Sequence, residues 1–203
     1  MKIVCIGRNY AEHAKELNNP IPAEPLFFIK PDSAVLRNNE PFYLPDFSQD
    51  VHYEAEIYVR IHKKGKNVQA KFAHSYYKEI GIAIDMTARD IQQQCKEKGL
   101  PWEKAKGFDG SAPMSEMLPL SDFDDIQNIH FELHKNGVVV QHGWTGDMLF
   151  PVNRIIEEAT KYFMLKIGDV IFTGTPAGVG KLEIGDRLEA YIEGKKMMDF
   201  YIK

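Results

Sequence analysis

Cysteine is scarce. Two cysteines in 203 residues, Cys5 and Cys95, do not make a disulfide framework, so a reduced, cytoplasmic setting is the default expectation. Long apolar runs are missing too. No stretch approaches the roughly 18 apolar residues of a membrane-spanning helix, and Met1–Ile6 is too short for the core of a secretion signal and runs straight into a turn. Neither sign of charge dominates. The net charge of −4 gives no reason to expect nucleic acid or an anionic membrane as partner. Several catalytic signatures are also lacking. No Glu-x-x-His spacing supports a zinc site, and no Gly-x-Ser-x-Gly elbow supports a serine hydrolase. Gly180-Lys181 looks like the end of a phosphate loop, but Thr175 stands where that loop needs glycine and Leu182 where it needs Ser or Thr. What survives at Thr173–Gly180 is a strand-end turn whose N–H groups and threonine hydroxyl suit a carboxylate.

Hydrophobic content of 44% and charged content of 27% place the chain among ordinary globular proteins, and its length is that of one domain over residues 1–203. A first strand leads into Gly7-Arg8-Asn9. Asn9 and Glu12 have capping-box spacing, which predicts a short helix to about Leu17. Prolines 20, 22 and 25 break it from Asn18 onward. Leu26–Ile29, His52–Ile61 and Ile80–Asp85 read as the next three strands. Thr87 and Asp90 are expected to cap the next helix, which Gly99 and Pro101 stop. Asn136-Gly137 predicts a two-residue hairpin between Ile129–Leu133 and Val138–Gln141. A helix is expected over Arg154–Phe163. Leu165-Lys-Ile-Gly-Asp169 and Leu182-Glu-Ile-Gly-Asp186 read as two similar turns into strands, and Arg187–Ile192 pairs with Met197–Ile202 across Glu193-Gly194. Strands outnumber short helices without βαβ alternation, which predicts a β-rich α+β fold.

Three carboxylates carry most of the functional information. In His52-Tyr-Glu-Ala-Glu-Ile-Tyr-Val-Arg-Ile61 the polar and apolar positions alternate, so Glu54 and Glu56 project from one face of a strand. Asp85 ends a strand that otherwise reads as buried. Three converging carboxylates suit a hard divalent ion such as Mg²⁺ or Mn²⁺ with positions open for substrate. The competing reading is plain: alternating glutamates on a strand are commonly its solvated face. His13 and Glu16 share a helix face at i, i+3. They make either a carboxylate-oriented base or a surface ion pair. Lys106, in the glycine-rich stretch Lys106-Gly-Phe-Asp-Gly, is an anion clamp or a solvated charge. Arg89 and Gln92 share a face one turn beyond Asp85, within reach of a ligand held there.

In this order, Gly7-Arg-Asn-Tyr-Ala-Glu-His13-Ala-Lys-Glu16, His52-Tyr-Glu-Ala-Glu56, Asp85-Met-Thr-Ala-Arg-Asp90, Gly99-Leu-Pro-Trp with Lys106-Gly-Phe-Asp, and Thr173-Gly-Thr-Pro-Ala-Gly-Val-Gly180 resemble the fumarylacetoacetate hydrolase family over nearly the whole chain. The resemblance is to its short branch of acylpyruvases, oxaloacetate decarboxylases and 2-hydroxyhepta-2,4-diene-1,7-dioate isomerases. It implies a mixed β-sandwich roll with short peripheral helices, a homodimer, and Mg²⁺ or Mn²⁺ on Glu54, Glu56 and Asp85. It also implies a catalytic dyad of His13 and Glu16 on a segment, about residues 9–25, that orders as a lid. Lys106 matches the family's active-site lysine, and Arg89, Gln92 and Thr175 match substrate-contacting positions. The implied activity is metal-dependent C–C hydrolysis of acylpyruvates or decarboxylation of oxaloacetate through a metal-stabilised enolate. The alternatives are dienoate isomerisation and a non-catalytic metabolite-binding homologue. The loop after Lys106-Gly-Phe-Asp matches neither branch cleanly, which leaves the substrate open.

Overall fold

The apolar runs of the sequence become the middle of a six-stranded sheet. Across it lie β2 (Leu26–Lys30), β1 (Ile3–Gly7), β12 (Val170–Phe172), β5 (Ala55–Ile61), β6 (Tyr77–Ile84) and β9 (Leu118–Pro119). The sheet is mixed, because β1 pairs parallel with β12 and every other pairing is antiparallel. The computed structural model describes residues 1–17 and 20–203; Asn18 and Asn19, where the proline-rich break is expected to begin, lie outside the described residues. A second sheet is wholly antiparallel, in the order β11 (Val138–Trp144), β10 (His130–Lys135), β14 (Arg187–Ile192) and β15 (Lys195–Tyr201). Its two hairpins turn on Asn136-Gly137 and Glu193-Gly194, and all four residues have positive φ. That is the type I′ backbone whose twist matches the strands it joins.

The two sheets close on one core. Ala55, Ile57, Val59 and Ile61 of β5 join Phe131, Leu133, Leu188 and Ala190 of the second sheet in a single buried cluster. Each such aliphatic side chain contributes roughly 1.5–3 kcal/mol on burial. The other face of β5 is buried as well, since Tyr58 packs with Cys5, Ala83 and Phe172. Gly81 lies opposite Tyr58 on β6, and a Cβ there would stand 2.4 Å from the Tyr58 ring. The missing side chain gives the phenol its place.

Two small sheets hold the remaining strands: β13 (Gly180–Lys181), β4 (Val51–Tyr53) and β7 (Thr87–Ala88) in one, β3 (Val35–Leu36) and β8 (Ala112–Pro113) in the other. The predicted strand His52–Ile61 is therefore two strands broken at Glu54. Residues before the break pair with β13 and β7, and those after it pair with β12 and β6. The helices are α1 (Ala11–Glu16), α2 (Ala70–Ala73), α3 (Arg89–Lys98), α4 (Glu103–Lys106) and α5 (Val152–Tyr162). α5 starts two residues before the expected Arg154, directly after Pro151, and buries Val152, Ile155, Ile156 and Ala159 as one stripe. α3 ends as expected at Gly99, which takes the left-handed conformation.

The expected N-caps are not used. Tyr10 and Ala88 stand at the caps of α1 and α3, and neither makes a side-chain cap bond. Asn9, Thr87 and Asp90 are drawn instead to partners far along the chain or in the site. Asp90, for example, accepts from Ser48 Oγ and the Gln49 N–H. His130 and His134 have the i, i+4 spacing of a helical zinc pair but lie on β10, with their rings against Trp144 and Tyr191.

The Ile-Gly-Asp echo is one turn used twice. In each copy the aspartate accepts the N–H three residues back: Lys166 N to Asp169 Oδ2 at 2.7 Å, and Glu183 N to Asp186 Oδ2 at 2.8 Å. Gly168 and Gly185 supply φ of 86° and 97°, which only glycine adopts without strain. Burial pushes the Asp186 carboxyl up, but the Glu183 N–H, Asn136 and Lys135 outweigh it and hold the carboxyl below its usual range. For Asp169, Lys2 and the Lys166 N–H do the same. A depressed carboxylate pKa stabilises the fold above the unfolded value and loses that contribution as pH falls through the folded one. Asp169→Ala and Asp186→Ala should each cost about 1–3 kcal/mol near neutral pH. The gap to wild type should close on acidification, as read from urea midpoints; a gap that persists in acid refutes the carboxylate clamp.

Candidate active site

Antiparallel register brings the three carboxylates together. Ala55 pairs with Ile84, so Glu54, one residue before β5, and Asp85, one residue after β6, stand opposite one another, with the Asp85 N–H bonded to the Glu54 carbonyl at 2.8 Å. Oxygens of Glu54, Glu56 and Asp85 lie within 4.8 Å of one another, and the residues are 5%, 1% and 0% exposed. Burial of this order excludes the solvated-face reading.

Cations surround two of the three. Lys106 Nζ donates to Glu54 Oε2 at 2.8 Å, Asp85 Oδ2 at 2.7 Å and Thr87 Oγ1 at 2.6 Å. Arg89 donates from Nη2 to Glu54 Oε1 at 2.5 Å and from Nη1 to Gln92 Oε1 at 2.8 Å. Lys30 is fully buried and lies 2.8 Å from Asp85 Oδ1, an oxygen that accepts no hydrogen bond. Glu56 has no such partner among the described residues; its one hydrogen bond is from the Gly174 N–H, at 2.6 Å. Electrostatics follow from these contacts. Burial opposes charge on Glu54, yet Lys106 and Arg89 hold its carboxyl well below the usual range. Burial, then Asp85 and Glu54, push Glu56 well above it. Burial pulls the Lys106 ammonium down, but Asp85 and Glu54 more than restore it.

This donor set fits a hard divalent ion. Glu56 is a buried carboxylate without a counter-charge, which is costly, and Asp85 Oδ1 keeps a lone pair unclaimed by a hydrogen bond. An ion with oxygen ligands answers both.

The remaining expected residues line the same cavity: His13, Arg89, Gln92, Lys106 and Thr175. Glu16 stands behind His13, with Oε2 at 3.2 Å from His13 Nδ1 and Oε1 accepting the Gly178 N–H at 3.0 Å. An Nδ1–H facing Glu16 leaves Nε2 as the basic nitrogen. Lys106, expected in a loop, closes the short helix α4.

Six further contributors were not assigned to the site from the sequence. Lys30 reads there only as the charge that ends a strand. Gln141 reaches across from the second sheet: it accepts the Ala55 N–H at 2.9 Å and donates to Thr175 Oγ1 at 2.8 Å and the Pro176 carbonyl at 2.9 Å. Asn9 Nδ2 donates to the Thr173 and Phe150 carbonyls, tying the root of α1 to the Thr175 turn. Gly174, at φ 91°, makes that approach possible, because a Cβ there would meet Asn9 Cβ at 2.6 Å. Arg8 and Lys96 also face the cavity. The i+7 spacing of Lys96 from Arg89 was the available signal for that residue.

Comparison with known proteins agrees with this geometry. The profile of the family described as fumarylacetoacetate (FAA) hydrolase C-terminal matches residues 2–200. The mitochondrial oxaloacetate tautomerase FAHD1 of Mus musculus is 39% identical over 201 residues, covering 99% of this chain and 91% of the relative. The mitochondrial oxaloacetate decarboxylase of Dictyostelium discoideum is 41% identical over 194 residues, 95% of this chain and 89% of the relative. The crystal structure of fumarylpyruvate hydrolase from Pseudomonas aeruginosa, in complex with Mn²⁺ and pyruvate, superposes with a TM-score of 0.94 at 32% identity, covering 100% of this chain and 89% of that one. The expected β-rich roll is the observed fold.

The raised Glu56 carboxyl generates a prediction. The metal-free fold holds a proton that the unfolded chain releases, so its stability falls as pH rises from the ordinary carboxylate range through the raised value. Glu56→Gln removes that loss. With EDTA present, urea midpoints at about pH 5 and about pH 8 should lie closer together in the variant than in wild type. Mn²⁺ at about a hundredfold excess over Kd should add about 2.7 kcal/mol to wild type and little to the variant. Identical pH responses would remove the uncompensated charge from the account of this site.

Proposed function

The chain belongs to the fumarylacetoacetate hydrolase family, and we propose that within it this protein is a divalent-metal enzyme that enolises oxaloacetate-type 2-oxo acids. The observation that carries the reading is the cavity itself. It sets one imidazole, oriented by Glu16 and free at Nε2, beside three buried carboxylates, Lys106 and Arg89. Glu54, Glu56 and Asp85 would hold Mg²⁺ or Mn²⁺, which when bound supplies Lewis-acid charge beside the substrate's carboxylate and keto oxygen.

His13 Nε2 takes the proton from C3 of the substrate, and Glu16 stabilises the imidazolium that forms. Lys106 and Arg89 bring positive charge to the side where the keto oxygen turns negative. Thr175 accepts from Gln141, so its own proton is free to bind the substrate carboxylate, and Gln92 orients Arg89. Return of the proton to oxygen completes tautomerisation, the activity for which the mouse relative is named. Decarboxylation, for which the Dictyostelium relative is named, needs the same electron sink but no proton taken from C3: CO₂ leaves, and the enolate takes its proton from water. Acylpyruvate hydrolysis adds a water, which His13 would activate.

Residues 9–25 serve as a lid in this reading. The cavity of about 30 Å³ has room for an ion and a water or two; movement of α1, releasing the contact of Glu16 with the Gly178 N–H, would widen it for a four-carbon acid.

The test is turnover of enol-oxaloacetate, oxaloacetate and acetylpyruvate with Mg²⁺ or Mn²⁺, with and without EDTA, with products identified. At least one conversion should be lost to chelation. His13→Ala should retain Mn²⁺ binding, lower tautomerisation and hydrolysis by about 10²–10⁴-fold, and affect decarboxylation less. Equal losses in all three contradict proton transfer by His13.

A further inference from the structure

The face of α3 that carries Arg89 and Gln92 continues to Lys96, at i, i+3 and i+7, and all three side chains line the cavity. Arg8 lines it from the turn before α1. Its φ of 59° is uncommon for a residue of this size, and the position calls for an explanation. Both Arg8 and Lys96 are half-buried. Arg89 is committed to Glu54 and Gln92. Arg8 and Lys96, by contrast, make no side-chain hydrogen bond or ion pair with any described residue. Burial, then the charges of Arg89 and Arg8, pull the Lys96 ammonium below its usual value, so these cations share a region without an anion between them.

Lys30, Lys106 and Arg89 already equal Glu54, Glu56 and Asp85 in number, although all three lie against Glu54 and Asp85 and none against Glu56. Arg8 and Lys96 are in excess, and a divalent ion enlarges the excess. The other walls, Ile6, Leu17, Phe28 and Trp102, offer no counter-charge. A ligand with one carboxylate spends it at the ion; only a second carboxylate answers the two remaining cations. We propose that Arg8 and Lys96 bind the distal carboxylate of the substrate and select 2-oxo dicarboxylates over 2-oxo monocarboxylates. The assignment rests on the oxo-acid reading above.

A matched pair of ligands tests it. Pyruvate lacks the distal carboxylate, and difluoro-oxaloacetate carries it but has no C3 proton, so binding is read without turnover. Calorimetric titration of the Mn²⁺-loaded protein should show the dicarboxylate binding more tightly. Arg8→Gln and Lys96→Gln should each weaken it roughly tenfold or more while leaving pyruvate and Mn²⁺ affinities within about threefold, a spread well under one charge-assisted bond. Arg8→Lys should recover part of the loss. KM for oxaloacetate should rise in step while kcat changes little, and KM for acetylpyruvate should hold. Lys98→Gln, on the exposed end of α3, is the control for general charge. No preference in wild type, equal losses for both ligands, or losses matched by Lys98→Gln each overturn the proposal. Selective binding without turnover of oxaloacetate would instead reject enolisation and leave the distal subsite standing; turnover with no selective loss in the variants would do the reverse.

Discussion

Three carboxylates that repel one another are held dry within one small volume, and much of the structure answers that single electrostatic demand. Lys106 stands between Glu54 and Asp85, Arg89 takes the outer oxygen of Glu54, and Lys30 sits beside Asp85. Each of these cations arrives on a different element: a four-residue helix, the first residue of α3, and the last residue of an edge strand. None is a good place for a buried charge by itself, and each is tolerable because its counter-charge is already there. Glu56 alone has no cation against it among the described residues, and that unanswered carboxylate is what suits the cluster to a divalent ion as well as to an ion-pair network.

The two sheets hold this arrangement in register. Backbone bonding on the β12 side of β5 ends with the Thr173 N–H on the Ile57 carbonyl, so the start of β5 has no strand on that side among the described residues. Gln141 fills the gap from the second sheet. One amide satisfies the Ala55 N–H between the two glutamates and fixes Thr175 and Pro176 at the opposite rim. Asn9 does the corresponding work for α1, bonding its root to the Thr173 and Phe150 carbonyls. A buried amide with its donors and acceptor satisfied is rigid, and both amides bridge segments more than 80 residues apart. The cations at the rim, Arg8 and Lys96, are by contrast without side-chain partners among the described residues. They belong to whatever anion enters, which is why the site has a direction, with the ion at its floor and charge selection at its mouth.

What could be read early was local. The hairpin at Asn136-Gly137, the second at Glu193-Gly194, the paired Ile-Gly-Asp turns and the stop at Gly99 depend on a few adjacent residues and their φ preferences. The alternation around Glu54 and Glu56 was also visible. Its meaning was not, because a covered sheet face and a solvated one give the same pattern. The caps failed for the converse reason: Asn9 and Thr87 had cap-like spacing, but partners elsewhere in the fold compete better for their side chains.

The sequence alone determined the β-rich character, the principal turns, and which residue types recur at family spacing: Glu54, Glu56, Asp85, His13, Glu16, Lys106, Arg89, Gln92 and Thr175. Tertiary structure decided the rest. It broke the expected strand at Glu54, buried the carboxylates, recruited Lys30 and Gln141, and left Arg8 and Lys96 at the rim with no side-chain partner among the described residues. The physical reason is that charge and hydrogen-bond satisfaction are settled by neighbours in space. A lysine at the end of a strand looks solvated until the chain, some 55 residues later, lays an aspartate against it.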